Sequence, residues 1–210
     1  MTSTIVFYTN PMSRGQIVRW MLEEVGAPYE TVLLDYGTTM KAPDYLAVNP
    51  MGKVPAIRHG DTVVTEGAAI CAYLADAFPE AGLVPPPAER GAYYRWLFFA
   101  AGPVESAVTA RSMGLEAPAD KAMMAGYGSY DAAVAALEGA MPAEGRWIAG
   151  ERFSAADVYV GAQVDWGLTF GTLPERPAFA AYAERLRARP AYGRAKAIDG
   201  ALIAQAQAEA

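Results

Sequence analysis

The sequence predicts two domains of different class, a small α/β half followed by an all-helical half. Three observations predict it. The chain begins with a β-prone run, an amphipathic helix and a second β-prone run. Two more short β-prone runs then flank the turn-forming His59-Gly60-Asp61. Beyond a proline-rich break from Pro79 to Pro87, no convincing strand pattern appears. The boundaries predicted are an α/β domain over residues 1–79, a linker over 80–87 and a helical domain over 88–210.

Residues 4–8 read as a buried first strand, followed by a turn at Thr9-Asn10-Pro11-Met12-Ser13. Val18, Met21, Leu22 and Val25 recur at helical spacing, with Ser13 as candidate N-cap and Gly26 as candidate stop. Residues 29–34 read as a second strand, and a strand–helix–strand unit of this kind usually has parallel strands. Residues 43–48 can form one short helix. Residues 54–57 and 62–65 are the hairpin, and Ile70, Tyr73, Leu74, Ala77 and Phe78 mark the next helix. In the second half, residues 88–112 predict a long helix kinked at Gly102-Pro103. Residues 120–141 predict another, weakened by Gly126 and Gly128. Ser154-Ala155-Ala156-Asp157 has the spacing of a capping box, with Phe153 and Val158 placed as a hydrophobic staple. Residues 177–189 and 191–198 supply two more helical pieces, and the Ala/Gln-rich end from Gly200 reads as a frayed tail.

The chain of 210 residues carries a formal net charge of −6. The first 87 residues hold 5 basic and 9 acidic groups, and the remainder 12 and 14. Neither half offers the basic face that nucleic acid or an anionic membrane requires. Any anion must therefore be recognised locally. The single cysteine, Cys71, forms no intrachain disulfide and suits a reducing compartment; it falls inside an apolar helix and reads as core. No signal peptide is visible and no apolar stretch is long enough to span a bilayer, so the expected location is cytoplasmic. His59, the sole histidine, reads as a surface turn residue, and no metal-ligand spacing or CxxC pair appears.

Residues 49–67 combine a loop, a proline-led strand edge and a helix N-terminus that carries Glu66. Unpaired N–H groups at such an edge and terminus suit a small acidic peptide.

These residues resemble the cytosolic glutathione S-transferase superfamily, of bacterial type with a Ser-type active-site loop. The resemblance rests on Ser13-Arg14 at the turn into the first helix, Asn49-Pro50-Met51-Gly52-Lys53-Val54-Pro55, and Thr65-Glu66-Gly67-Ala68-Ala69-Ile70. It continues through the proline linker to Phe153-Ser154-Ala155-Ala156-Asp157. It implies a thioredoxin-like N-terminal domain (βαβαββα), an all-α C-terminal domain and a homodimer. It also implies glutathione as co-substrate without a metal.

The resemblance assigns the parts of glutathione to separate residues. Glu66 would accept from the ligand's α-amino group, and the Gly67 N–H would bond its α-carboxylate. Gly67 departs from the Ser or Thr usual there, so a hydroxyl contact is lost. Val54, ahead of a cis Pro55, would pair with the cysteinyl main chain, as in strand addition. Lys53 would face the glycine carboxylate. Met40 stands where some relatives carry a basic residue, and cannot do that work. The thiol, with a pKa of about 8.5, needs a donor to ionise at neutral pH. Ser13 is the candidate, with Asn10, the Ser13 N–H and Arg14 as alternatives; Tyr8 lies too early, inside the strand.

An apolar electrophile pocket would involve Met12, Trp96, Phe99 and Pro103, with Trp166 or Phe170 as further candidates, although helix packing accounts for any one of them. Glu105 is a candidate contact to a neighbouring subunit. The expected function is conjugation of the glutathione thiolate to an electrophilic apolar small molecule. The alternatives are a glutathione-dependent disulfide-bond reductase or peroxidase, and a non-catalytic binding protein of the same fold.

Overall fold

The computed structural model describes residues 4–209. The chain forms two compact units, one from its start to Leu83 together with the stretch from Ala188 onward, the other Val84–Arg187.

The first unit is built on a four-stranded mixed sheet of order β2-β1-β3-β4. Strand β1 (Ile5–Thr9) runs parallel to β2 (Tyr29–Leu33), with Ile5 opposite Tyr29. On its other side β1 pairs antiparallel with β3 (Ala56–His59), which turns at Gly60 into β4 (Thr62–Thr65). Helix α1 (Gly15–Val25) makes the crossover from β1 to β2 and buries Ile17, Val18, Met21 and Leu22. Gly26, with φ +67°, takes the left-handed conformation that closes this helix at low steric cost. The short α2 (Pro43–Leu46) and the longer α3 (Gly67–Ala77) complete the expected βαβαββα order. Cys71 is fully buried in α3, and burial pushes its thiol pKa well up.

The last helix, α9 (Pro190–Ala208), also belongs to this unit, whereas the sequence reading groups it with the helical domain. It packs on α1 through a polar seam. Arg19 is 1% exposed and donates to Asp199 at 2.7 Å. Arg189 grips Glu24 through two bonds of 2.6 and 2.7 Å, and Arg194 bonds Glu23 at 2.9 Å. The Tyr192 ring meets Trp20 edge-on at 5.2 Å. Residues 200–208 continue the helix instead of fraying. Their alanine and glutamine content gives them the propensity to do so. Ala210 lies outside the described residues.

The second unit contains α4 (Arg90–Phe99), α5 (Glu105–Ser112), α6 (Tyr130–Gly139), α7 (Ala155–Thr169) and α8 (Pro177–Arg187). The kink expected at Gly102-Pro103 appears as a π-turn, Ala100–Val104, between α4 and α5. The helix expected over 120–141 is shorter. A 3-10 segment, Ala119–Met124, stops ahead of Gly128, whose φ is +71°, and α6 starts only after Ser129.

Helix α7 buries eleven of its fifteen residues. The capping box at its start is present and extended. Asp157 accepts from the Ser154 N–H at 2.9 Å, the Ser154 hydroxyl at 3.0 Å, the Ile148 N–H at 2.8 Å and the Tyr182 hydroxyl at 2.8 Å. Desolvation raises the pKa of this carboxyl against the opposing effect of those bonds. One carboxylate thereby ties together α7, α8 and the loop before them. Asp157→Ala is expected to destabilise the protein by about 3 kcal/mol in urea titration, since it leaves buried donors unpaired. Ser154→Ala, which removes only the cap hydroxyl, should cost about 1 kcal/mol.

Candidate glutathione site

Residues 49–55 form a loop whose carbonyls are held from behind. Lys41 donates its ammonium to the carbonyls of Met51 at 3.1 Å and Gly52 at 2.9 Å. The Lys53 carbonyl accepts from the Tyr45 hydroxyl at 2.5 Å and the Asn49 amide at 2.8 Å. Asn49 Oδ1 in turn accepts from the Met51 N–H at 3.1 Å. Gly52 makes the loop possible, having φ +57° and no side chain. A Cβ there would lie 2.7 Å from both Lys41 Nζ and the Met40 carbonyl.

The Val54–Pro55 bond is cis, as the resemblance implies. No hydrogen bond is made by the main-chain N–H or carbonyl of Val54 among the described residues. Val54 thus offers a donor and an acceptor to an incoming extended chain. Lys53 is exposed beside it, and Pro55 is buried beneath.

Glu66 closes the other side of the hairpin. Its φ is +66°, and no other non-glycine residue among those described has a positive φ. That conformation costs on the order of 1–3 kcal/mol for a residue with a side chain. It is kept at the cap position of α3, where the exposed Glu66 side chain does not cap its own helix. The carboxylate and the first N–H groups of α3, including that of Gly67, are therefore available to a zwitterionic amino-acid end.

The loop at the start of α1 is more heavily committed. Asn10 spends both ends of its amide on main chain, donating to the Leu34 carbonyl at 2.9 Å and accepting from the Met12 N–H at 2.9 Å. Ser13, 6% exposed, donates its hydroxyl to the Asn10 carbonyl at 2.6 Å and accepts from the Gly15 N–H at 2.9 Å. The cap position of α1 falls on Arg14, half-buried, one residue later than the sequence reading placed it. Tyr8 is buried in β1 with its ring 5.5 Å from that of Tyr45.

Met40 is 2% exposed and packs with Tyr8, Leu34, Tyr45 and Ala56, so it serves the core. His59 is half-buried instead of lying free at the surface, bonded to the Tyr73 hydroxyl at 3.0 Å and stacked on Phe78. Of the apolar candidates, Met12 is exposed on the first unit's loop. In the second unit Trp96, Phe99 and Pro103 follow one another at helical spacing along α4 and the π-turn. The Trp96 and Phe99 rings meet edge-on at 5.5 Å. Trp166 and Phe170 form a separate ring pair. Glu105 accepts from Gln163 at 3.0 Å within its own unit. A cavity of about 440 Å³ in the helical unit, lined in part by Arg111, Tyr130, Glu138 and Arg176, contains none of the expected electrophile residues.

The roles of Lys41, Tyr45 and Asn49 were not read from the sequence. Asn49 sits in the motif and Lys41 is one of few cations in its half, but only the fold brings all three behind one loop.

Among the described residues no helix is long and apolar enough to cross a membrane, and no cluster of His, Cys, Asp and Glu is placed to hold a metal. The glutathione S-transferase N-terminal domain family matches residues 12–77 and the C-terminal domain family residues 103–190. Glutathione S-transferase 3 of Zea mays is 31% identical over 202 residues, spanning 88% of this chain and 90% of that protein. A probable glutathione S-transferase, GSTF2, of Oryza sativa is 53% identical over 55 residues, only 26% of either chain. A glutathione transferase structure from Methylococcus capsulatus superposes with a TM-score of 0.77 at 32% identity, over 94% of this chain and 99% of that one. A sphingomonad glutathione S-transferase complexed with glutathione gives 0.74 at 32% identity, over 93% and 98%. With both domain families matched in order and a full-length relative of this identity, the chain belongs to the glutathione S-transferase family.

Proposed function

We propose that the protein binds glutathione along the Val54 edge and transfers its thiolate to an electrophilic carbon of an apolar small molecule. The observation that carries the reading is the combination of open main-chain groups on Val54 with the left-handed Glu66 at the cap of α3. One receives the cysteinyl main chain and the other the amino-acid end of the same tripeptide. Lys53 meets the glycine carboxylate. Lys41, bonded to the same loop, adds a second positive charge in a half of the molecule that is otherwise acidic. Gly67 offers its N–H but no hydroxyl, so the glutamyl end is held with one contact fewer.

Ser13 is the thiolate donor in this reading. Its hydroxyl proton lies on the Asn10 carbonyl, and rotation about the C–O bond redirects it without moving the oxygen. The exchange gives up a neutral hydrogen bond worth about 1 kcal/mol for a charge-assisted one worth about 1.5–3 kcal/mol, so the thiolate wins. Asn10 holds the Leu34 carbonyl and the Met12 N–H, so only the second hydrogen of its amide nitrogen could serve instead. Arg14 and the α1 dipole add positive potential.

Trp96, Phe99 and Pro103 on the helical unit are the candidate electrophile contacts, with Met12 on the α/β unit a separate candidate, and the enzyme acts in the cytoplasm as a homodimer. Met51 and Phe98, 68% and 71% exposed in their own units, are apolar groups that a partner subunit would cover.

Calorimetric titration is expected to show glutathione binding below millimolar concentration, with Glu66→Ala weakening it about tenfold or more. Absence of binding by the wild type would point to a non-catalytic protein. Ser13→Ala should lower the rate with an aromatic halide at least tenfold while leaving glutathione affinity nearly unchanged. Because the donor favours the thiolate, its loss moves the rising limb of the pH–rate profile upward, toward the free-thiol value of about 8.5. An unchanged profile would remove Ser13 from the mechanism. Turnover of a small disulfide in place of the halide would assign the chain to the reductase reading.

A further inference from the structure

Two residues outside the glutathione contacts control how Val54 meets the ligand. The Lys53–Val54 peptide is planar and trans, so its C=O and N–H point in opposite directions. Fixing the Lys53 carbonyl therefore fixes the direction of the Val54 N–H. That carbonyl has two donors, the Tyr45 hydroxyl at 2.5 Å and the Asn49 amide at 2.8 Å, both on the inner side of the loop.

Neither donor is free to wander. Tyr45 is 4% exposed, packed against Tyr8, Leu34, Met40 and Ala56, and burial pushes its phenol up to about 12, so it stays a donor throughout the working pH range. Asn49 is 3% exposed, and its N–H bonds the Tyr45 carbonyl at 2.8 Å, which couples the two residues to the end of α2.

We propose that Tyr45 and Asn49 are positioning residues for glutathione, aiming the Val54 N–H outward by jointly holding the Lys53 carbonyl. The proposal rests on the glutathione reading of the site. Neither residue touches the ligand. They remove the rocking of one peptide plane, which the ligand would otherwise have to arrest on binding.

The test compares Tyr45→Phe, Asn49→Ala and the double variant with the wild type by calorimetric titration of glutathione and by steady-state kinetics. Each single variant is expected to raise the glutathione Kd and KM about three- to tenfold, and the double variant more. The kcat at saturating glutathione and the KM for the electrophile stay at wild-type values. Tyr182→Phe is the control: it removes a buried hydroxyl that bonds Asp157 in the other unit, lowers stability, and leaves the glutathione Kd unchanged. Tyr45→Phe preserves the ring and its packing, so it carries the test even if Asn49→Ala fails to fold. Wild-type affinity in a folded Tyr45→Phe protein overturns the positioning role and leaves the glutathione reading intact. A Tyr182→Phe protein that loses affinity equally also overturns it, because stability would then explain the effect. A wild type that does not bind glutathione overturns both.

Discussion

A strand edge that receives a ligand's main chain has to be kept unpaired without collapsing onto its own protein. Main-chain groups left unsatisfied seek partners, and a mobile loop finds them. Residues 51–53 meet this constraint by having their carbonyls bonded from the inner side, by Lys41, Tyr45 and Asn49. What is left to the outer side is the main chain of Val54. The rest of the first unit serves this arrangement. Met40 and Tyr45 are locked into the core beneath it, the turn after α2 supplies Asn49, and the β3–β4 hairpin brings Glu66 back to the neighbouring position.

The same principle separates the two loops of the site. At 49–55 the hydrogen bonds leave ligand-facing groups free, so little rearranges when a tripeptide arrives. At 10–15 the groups bond one another, so a Ser13 that served as thiolate donor would have to change partner. In the proposed function this divides binding from activation: one loop would be prepared in advance, and the other would respond to charge, since a thiolate attracts the Ser13 proton far more strongly than a neutral thiol does.

Much of the fold was legible in the sequence because its signals are local. The β1–α1–β2 unit, the hairpin around Gly60 and the Ser154/Asp157 box each carry their information within a few residues. The helix over 120–141 was misjudged because Gly126 and Gly128 outweigh an apolar pattern over a stretch with little burial. The site was half legible. Val54, Pro55 and Glu66 stand in a motif, yet the left-handed conformation of Glu66 has no signature in side-chain chemistry. Tyr45 and Lys41 stand in no motif of their own. Their work depends on a loop that folds back over them, which no periodicity reports. Nor did the last helical piece announce that it packs on α1, since Glu24, Glu23 and Arg19, the partners of Arg189, Arg194 and Asp199, lie at the opposite end of the chain.

That last seam has a consequence for the order in which the molecule is made. Arg19 emerges from the ribosome early, but Asp199 follows 180 residues later. Until α9 is made, the Arg19 guanidinium lacks both its carboxylate and the helix packed against its own. The α/β unit, although first in sequence, is therefore last to be completed. The second unit, Val84–Arg187, is synthesised in full before α9. A chain ending at residue 187 would carry every residue of the candidate site and lack the helix that packs on α1.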